Sequence, residues 1–188
     1  MASVHLDLPK DRNLYFTKQV DQTTIGDLTQ KIIEINEDDI KLEKLYSVYD
    51  IEYKPKPIKI YIDSYGGSVY QCFGLLSIIE NSKTPIWTIV TGCAMSCGFM
   101  MLICGHKRFA HKLSTPLYHQ VSSGGWGTLK ELEQNLEETK RLQKILEKIT
   151  LEKTDITKAR LKEVFEQKID WFMDAEEAKK LGVVDEVI

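Results

Sequence analysis

The run PIKIYIDSYGGSVYQCFGLLSIIENS spans residues 57–82, and PIWTIVTGCAMSCGFMMLICG follows at 85–105. In each, an apolar stretch ends at glycine, and a run with helical apolar spacing comes next. Alternation of period two reads as a strand, and the 3.6-residue spacing reads as a helix. Both runs are therefore strand–turn–helix units, and successive units of that kind build an α/β domain with mostly parallel pairing. The second run also poses a chemical question. Ser96 stands near the front of the most apolar stretch of the chain, at the expected mouth of a helix beginning near Ala94, among Gly92, Cys93, Cys97 and Gly98. A serine there is either a helix cap or a nucleophile.

Upstream, RNLYFTKQV reads as a short strand, and Ile25, Leu28, Ile32 and Ile33 mark one face of a helix. The polar, tyrosine-rich segment at about 38–56 ends in prolines and reads as an inserted loop, with room for short strands of its own. Downstream, KRFAHKLSTPLYHQ reads as two short strands around a Ser-Thr-Pro turn, and SSGGWG as a glycine-rich bend. From Thr128 to about Thr150, leucines and isoleucines from Leu129 to Ile149 recur at helical spacing among Glu and Lys, which predicts a long amphipathic helix. TKARLKEVFEQ predicts another helix. In DWFMDAEEAKKLG, Asp174 suits an N-cap, Glu177 the reach-back position and Gly182 the C-terminal stop. VVDEVI closes the chain as a strand or tail.

Composition narrows the functional classes. The chain has 188 residues, 43% of them hydrophobic, enough for one domain with a real core. A net charge of −3 with no basic stripe argues against nucleic acid as a partner. The first residues carry no apolar signal segment, and the longest apolar run, Ala94–Cys104, is too short to span a bilayer. The expectation is a cytoplasmic protein with reduced thiols. Cys72, Cys93, Cys97 and Cys104 all lie in apolar context, where free cysteine acts as a small hydrophobe. Cys104, His106 and His111 lack standard zinc spacing, so neither a metal nor a cofactor is expected.

A glycine pair between strand and helix exposes backbone N–H groups, a ready anion site. The SYGGS turn lacks the three spaced glycines of a dinucleotide site, and the chain has no Walker lysine. The remaining readings are a tight turn or an oxyanion hole, and the latter needs a nucleophile beside it. Neighbouring parallel strands would bring SYGGS and Ser96 to one sheet edge. A serine needs a base. Of the four histidines, His119 ends a strand just before the glycine-rich bend. Asp170, between Ile169 and Trp171, is expected in an apolar setting where an unpaired charge is costly.

YIDSYGG, GCAMSCG, LYHQ and DWFMDAEEAKKLGVVDEV, in this order, resemble the signature blocks of the Clp protease proteolytic subunit (ClpP) family, and RNLYFTKQVD resembles its early strand. The resemblance runs from Arg12 to Val187, interrupted by the segment at about 38–56. It implies a ClpP/crotonase-like α/β fold of repeated strand–strand–helix units, as a single peptidase domain over 1–188 with a handle helix at about 128–150. By position it implies Ser96 as nucleophile, His119 as base, Asp170 as orienting acid, and the N–H groups of Gly67 and Cys97 as oxyanion donors. Gly124, Gly125 and Trp126 fall where the substrate pairs as an added strand. Tyr61 and Phe109 fall in a groove that docks a partner. Heptameric rings stacked as a tetradecamer, an AAA+ Clp ATPase and an unfolded-protein substrate are the implied partners.

The chain departs from the family pattern at named positions. Tyr65 and Val121 replace prolines, Lys168 and Ile169 stand where a ring-bridging arginine is usual, and Lys59 and Asn81 replace apolar groove residues. The stretch before Arg12 is short. These features predict a divergent, phage-type member with weakened ATPase docking. Three other functions share the fold: a catalytically silent scaffold subunit of a mixed ring, a crotonase-type acyl-CoA hydratase or isomerase, and a capsid-maturation protease.

Overall fold

The computed structural model describes residues 11–188; His5 and the short stretch before Arg12, with the docking expectation attached to it, lie outside the described residues. The described chain is an α/β fold built on a largely parallel sheet. Its elements are β1 (Asn13–Phe16), α1 (Gln22–Ser47), β2 (Ile58–Ser64), α2 (Val69–Asn81), β3 (Ile86–Met95), α3 (Cys97–Ile103), β4 (Lys107–Ala110), β5 (Thr115–Tyr118), α4 (Leu129–Lys153), α5 (Lys158–Gln167), β6 (Trp171–Phe172), α6 (Ala175–Lys180) and β7 (Glu186–Val187). Strands run in the order β1-β2-β3-β4-β7, all parallel. β5 adds in parallel to the far end of β3, and β6 pairs antiparallel with β5.

Register follows the alternation. Leu14 and Phe16 pair with Ile60 and Ile62, and Ile60 and Ile62 with Thr88 and Val90, so one face of the sheet is continuously buried. That face joins Ile25, Leu28, Ile32 and Ile35 of α1, Leu75, Leu76 and Ile79 of α2 and nearly all of α3 in one core cluster. Tyr15, Lys59, Tyr61, Trp87 and Lys107 lie on the opposite face and stay exposed or half-buried. Among the described residues no helix is long and apolar enough to cross a membrane.

Four local expectations change. The face of α1 uses Ile35 in place of Ile33, which is 41% exposed, because 25, 28, 32 and 35 keep the three- and four-residue spacing of one stripe. The segment at about 38–56 is not a loop throughout. α1 continues to Ser47, and only a turn and an extended run without strands lead to β2. The Ser-Thr-Pro sequence is not a turn either: Thr115 and Pro116 belong to β5, and the bend lies at 112–113. Pro116 is accommodated because the strand register needs its carbonyl, which accepts from Met173 N. Finally, Glu177 does not reach back to close a capping box. Asp174 Oδ1 caps α6 through Glu177 N at 2.7 Å, while the Glu177 carboxylate accepts from Trp171 Nε1.

The α1 extension has a definite anchor. Asp39 is 5% exposed and accepts from Arg12 Nη1 and Nη2 at 2.8 and 2.5 Å, from Tyr53 Oη at 2.5 Å and from Thr84 Oγ1 at 2.5 Å. One helical turn earlier, Asn36 Oδ1 accepts from Ser82 Oγ, Lys83 N and Thr84 N. The extended helix thus ties the start of β1, the chain before β2 and the turn before β3 together. A half-satisfied buried charge is expensive, so the clasp holds only when complete.

Burial opposes ionisation of Asp39, but the bonds from Arg12, Thr84 and Tyr53 outweigh it and hold the carboxyl below its ordinary range. A lowered folded-state value means stability that is present above the unfolded carboxylate range, about 3.9, and lost as pH falls through the folded value. Asp39→Ala is expected to cost about 3 kcal/mol by urea unfolding, since it strands the Arg12 charge. Asp39→Asn should flatten the stability loss that the wild-type protein shows below about pH 4.

Candidate active site

β3 does not stop at Gly92. Cys93 and Met95 pair with Thr115 and Leu117 of β5, and Ser96 N donates to Leu117 O at 3.1 Å, so the strand extends to Met95. The expected helix start near Ala94 moves to Cys97. Ser96 sits at the corner between them, with φ 55° and ψ −119°. A non-glycine residue at positive φ is uncommon and costs free energy, and such strain concentrates at functional sites. The helix-cap reading fails on one fact: Ser96 makes no side-chain capping hydrogen bond. Met100 N closes the first helical bond on Ser96 O, so the Cys97 N–H lies ahead of the helical ladder.

The neighbouring turn is built to approach this corner. Gly66 (φ 93°) and Gly67 (φ 148°) follow β2. A Cβ on Gly66 would meet Met95 O at 2.6 Å, Ser96 Cβ at 2.8 Å and Cys97 N at 2.9 Å, so only glycine lets the two turns touch. Buried Ser64 braces the turn, donating to Lys18 O at 2.5 Å and accepting from Gly66 N at 3.2 Å. Val20 holds its other side, donating to Gly66 O and accepting from Ser68 N, both at 2.8 Å.

Gly67, Ser96, Cys97 and His119 line one cavity of about 50 Å³, walled by Val69, Met100, Tyr118, Val121 and Leu146 and completed by Gln120 and Ser122. His119 Nδ1 faces Asp170 Oδ1 at 3.7 Å, an ion-pair separation longer than a hydrogen bond. Asp170 does not line the cavity. Its expected apolar setting is corrected too: the side chain is 67% exposed, because Trp171 turns inward beside β5 while Asp170 turns out. Gly124, Gly125 and Trp126 do not reach this cavity, and Trp126 is fully exposed. The residues just before them, Gln120–Ser122, do.

Tyr61 and Phe109 lie on the half-covered sheet face. Tyr61 stacks on Tyr15 at 5.2 Å, and Phe109 tilts against Trp87 at 5.4 Å. Lys59 and Lys107 sit over the Trp87 ring at 5.7 and 5.6 Å. His106, considered with Cys104 and His111, has its Nδ1 occupied by Ile86 N at 2.8 Å.

Gln143 of α4 was not legible as a site residue. Buried on α4, it accepts from Val121 N at 2.7 Å and donates to Glu147 at 2.8 Å. One turn earlier, Thr139 Oγ1 meets Ser123 Oγ at 3.0 Å. The segment after His119 is thereby fastened to α4. Val121, where the resembling family has proline, supplies the N–H that proline lacks. In the sequence Gln143 is one polar residue among many on an amphipathic helix.

Comparison with known proteins agrees with this architecture. A family model described as Clp protease matches residues 2–188. The "ATP-dependent Clp protease proteolytic subunit" of Deinococcus radiodurans is 35% identical over 141 residues, covering 74% of this chain and 68% of that protein.

Gly66→Ala tests the close approach of the two turns. It is expected to destabilise the fold by about 2 kcal/mol or more in thermal unfolding, because the clash is with backbone atoms. Gly74→Ala, where an added Cβ meets nothing within 4 Å, should be neutral or stabilising.

Proposed function

The chain belongs to the Clp protease family, and from that premise we propose that it is a serine endopeptidase that cleaves peptides and unfolded proteins inside a ring of identical subunits. The observation that carries the reading is the cavity shared by Ser96, His119, Gly67 and Cys97. In this proposal His119 takes the Ser96 proton as Ser96 Oγ attacks the peptide carbonyl. The N–H groups of Gly67 and Cys97 receive the oxyanion. His119 then protonates the leaving amine, and water repeats the sequence on the acyl-enzyme. Asp170 orients His119 and stabilises its charged form. The 3.7 Å gap between them is the observation that favours the silent-scaffold reading, and labelling decides between the two.

A fluorophosphonate should label Ser96 and no other residue. Ser96→Ala and His119→Ala should each lower peptide turnover by about 10³-fold or more with the oligomer unchanged. Asp170→Asn should be severe as well. Cys97→Ala should keep most activity, since the backbone N–H remains. Absence of label, or turnover of Ser96→Ala within about tenfold of wild type, removes the assignment. Thioester turnover without peptide turnover would favour a hydratase.

Assembly follows the same premise. The first half of α4 leaves Leu129, Leu132 and Leu136 exposed, a face suited to a second subunit. The proposed assembly is a heptameric ring that stacks into a tetradecamer. Ile169 and Lys168 remove a ring-bridging arginine next to Asp170, and the lysines over Trp87 make the docking face less apolar. Light scattering across salt and dilution should show a double ring that dissociates to single rings. A Clp-type unfoldase should be captured only weakly, and short peptides should be cleaved without it. A double ring unchanged at nanomolar protein in low and high salt would overturn this.

A further inference from the structure

Cys72 lies in the first turns of α2, and Cys97 opens α3. Both are buried, yet Cys97 lines the cavity that holds Ser96. Cys72 Sγ is 3.6 Å from Cys97 O, which packs the Cys72 thiol against the Cys97 residue. On its other side Cys97 Sγ donates to Gly67 O at 3.2 Å. Cys97 therefore touches a second cysteine through its backbone oxygen and, through its side chain, the turn that carries the other proposed oxyanion donor.

The two sulfurs are unequal. Cys97 lines the cavity while Cys72 is fully buried behind it, so peroxide reaches Cys97 first. The Cys72 thiol lowers the Cys97 thiol against the effect of burial. Cys97 and burial push the Cys72 thiol up. Burial raises the other two thiols, Cys93 to about 11 and Cys104 to about 12, and Cys104 is close enough to push Cys72 up further. Thiolate character decides which cysteine oxidises first.

We propose that Cys97 is a peroxide-sensitive thiol and Cys72 its resolving partner, and that their disulfide reversibly switches off the adjoining Ser96 site. The switching half rests on the serine-peptidase reading, whereas the disulfide does not. The Cys97 thiolate attacks a peroxide oxygen. The O–O bond breaks, one water leaves after protonation, and Cys97 becomes a sulfenic acid. Cys72 sulfur then displaces the sulfenic hydroxyl: the S–S bond forms, the S–O bond breaks, and a second water carries off the Cys72 proton. Two thiols are oxidised and one peroxide is reduced to two waters. Peroxide is little larger than water, and a cavity of about 50 Å³ admits it.

The bond has a mechanical consequence. A disulfide holds its sulfurs about 2 Å apart, so Cys97 Sγ must turn toward Cys72. That pulls Cys97 Sγ off Gly67 O and shifts the first turn of α3, which carries the Cys97 N–H. Misplacement of about 1 Å in such a site costs on the order of 100-fold in rate.

The test treats the full-chain oligomer with hydrogen peroxide. A proteolytic map should contain one Cys72–Cys97 cross-linked peptide pair. Peptide turnover and fluorophosphonate labelling should fall about 100-fold and return with dithiothreitol. Cys72→Ala should retain basal turnover. On peroxide it should lose activity without recovery, because a sulfenic acid with no resolving thiol runs on to the irreversible sulfinic acid. Cys72→Ser serves in its place if the alanine variant does not fold. No cross-link in the wild-type map, or equal recovery in wild type and Cys72→Ala, overturns the proposal. A protein that cross-links but hydrolyses nothing before peroxide supports the thiol pair and overturns the switch along with the peptidase reading.

Discussion

The corner at Ser96 is the constraint on which the site depends. A strand must become a helix within one residue, and that residue carries positive φ without being glycine. Three neighbours hold it there. β5 pairs with the last residues of β3 and accepts the Ser96 N–H. Gly66 lies so close that no side chain fits between the turns. Behind the corner, α3 is buried along its whole length, so the helix cannot drift outward. Strain of this kind persists only where surrounding contacts over-determine it. Here those contacts also bring Gly67 and His119 to the serine, because the turn after β2 and the end of β5 are the elements that clamp it.

The same clamp explains why the sheet is extended where it is. β4 pairs with the first half of β3 and β5 with its end, so one long strand serves two partners in succession. The first half presents aromatic rings and lysines on a face with little cover, and the far end presents the candidate chemistry. α4 completes the site from a distance in sequence. Gln143 and Thr139 each hold the segment after His119 by a hydrogen bond, and Leu146 walls the cavity. A buried polar group such as Gln143 specifies one position for that segment, because any other leaves its amide unpaired. The position of the long helix and the shape of the cavity are thus mechanically linked within one chain.

Cysteine at 97 changes the local chemistry without changing the backbone N–H that opens α3. Its thiol spans the gap between α3 and Gly67, and Cys72 lies behind it. A purely apolar side chain at that position would pack as well but would leave Gly67 O without this partner.

Period-two and period-3.6 patterns are local properties, and they alone made the α/β class, the parallel pairing and the long helix from Thr128 readable in the sequence. Ser96, His119 and the glycine pair were also legible, since each falls at an element edge within a block of characteristic residues. Other features depended on partners far away in the chain. β3 runs on through Gly92 to Met95 because β5 is there to pair with it, which no window around Gly92 reveals. α1 continues through the polar residues after Asp38 because Arg12, Tyr53 and Thr84 converge on Asp39, three segments brought together only by folding. Asp170 stands just before β6 and is exposed, while Trp171 pairs with Tyr118 and takes the buried position beside β5. Local pattern decided which elements form; long-range hydrogen bonds and burial decided where they end and which side chains meet.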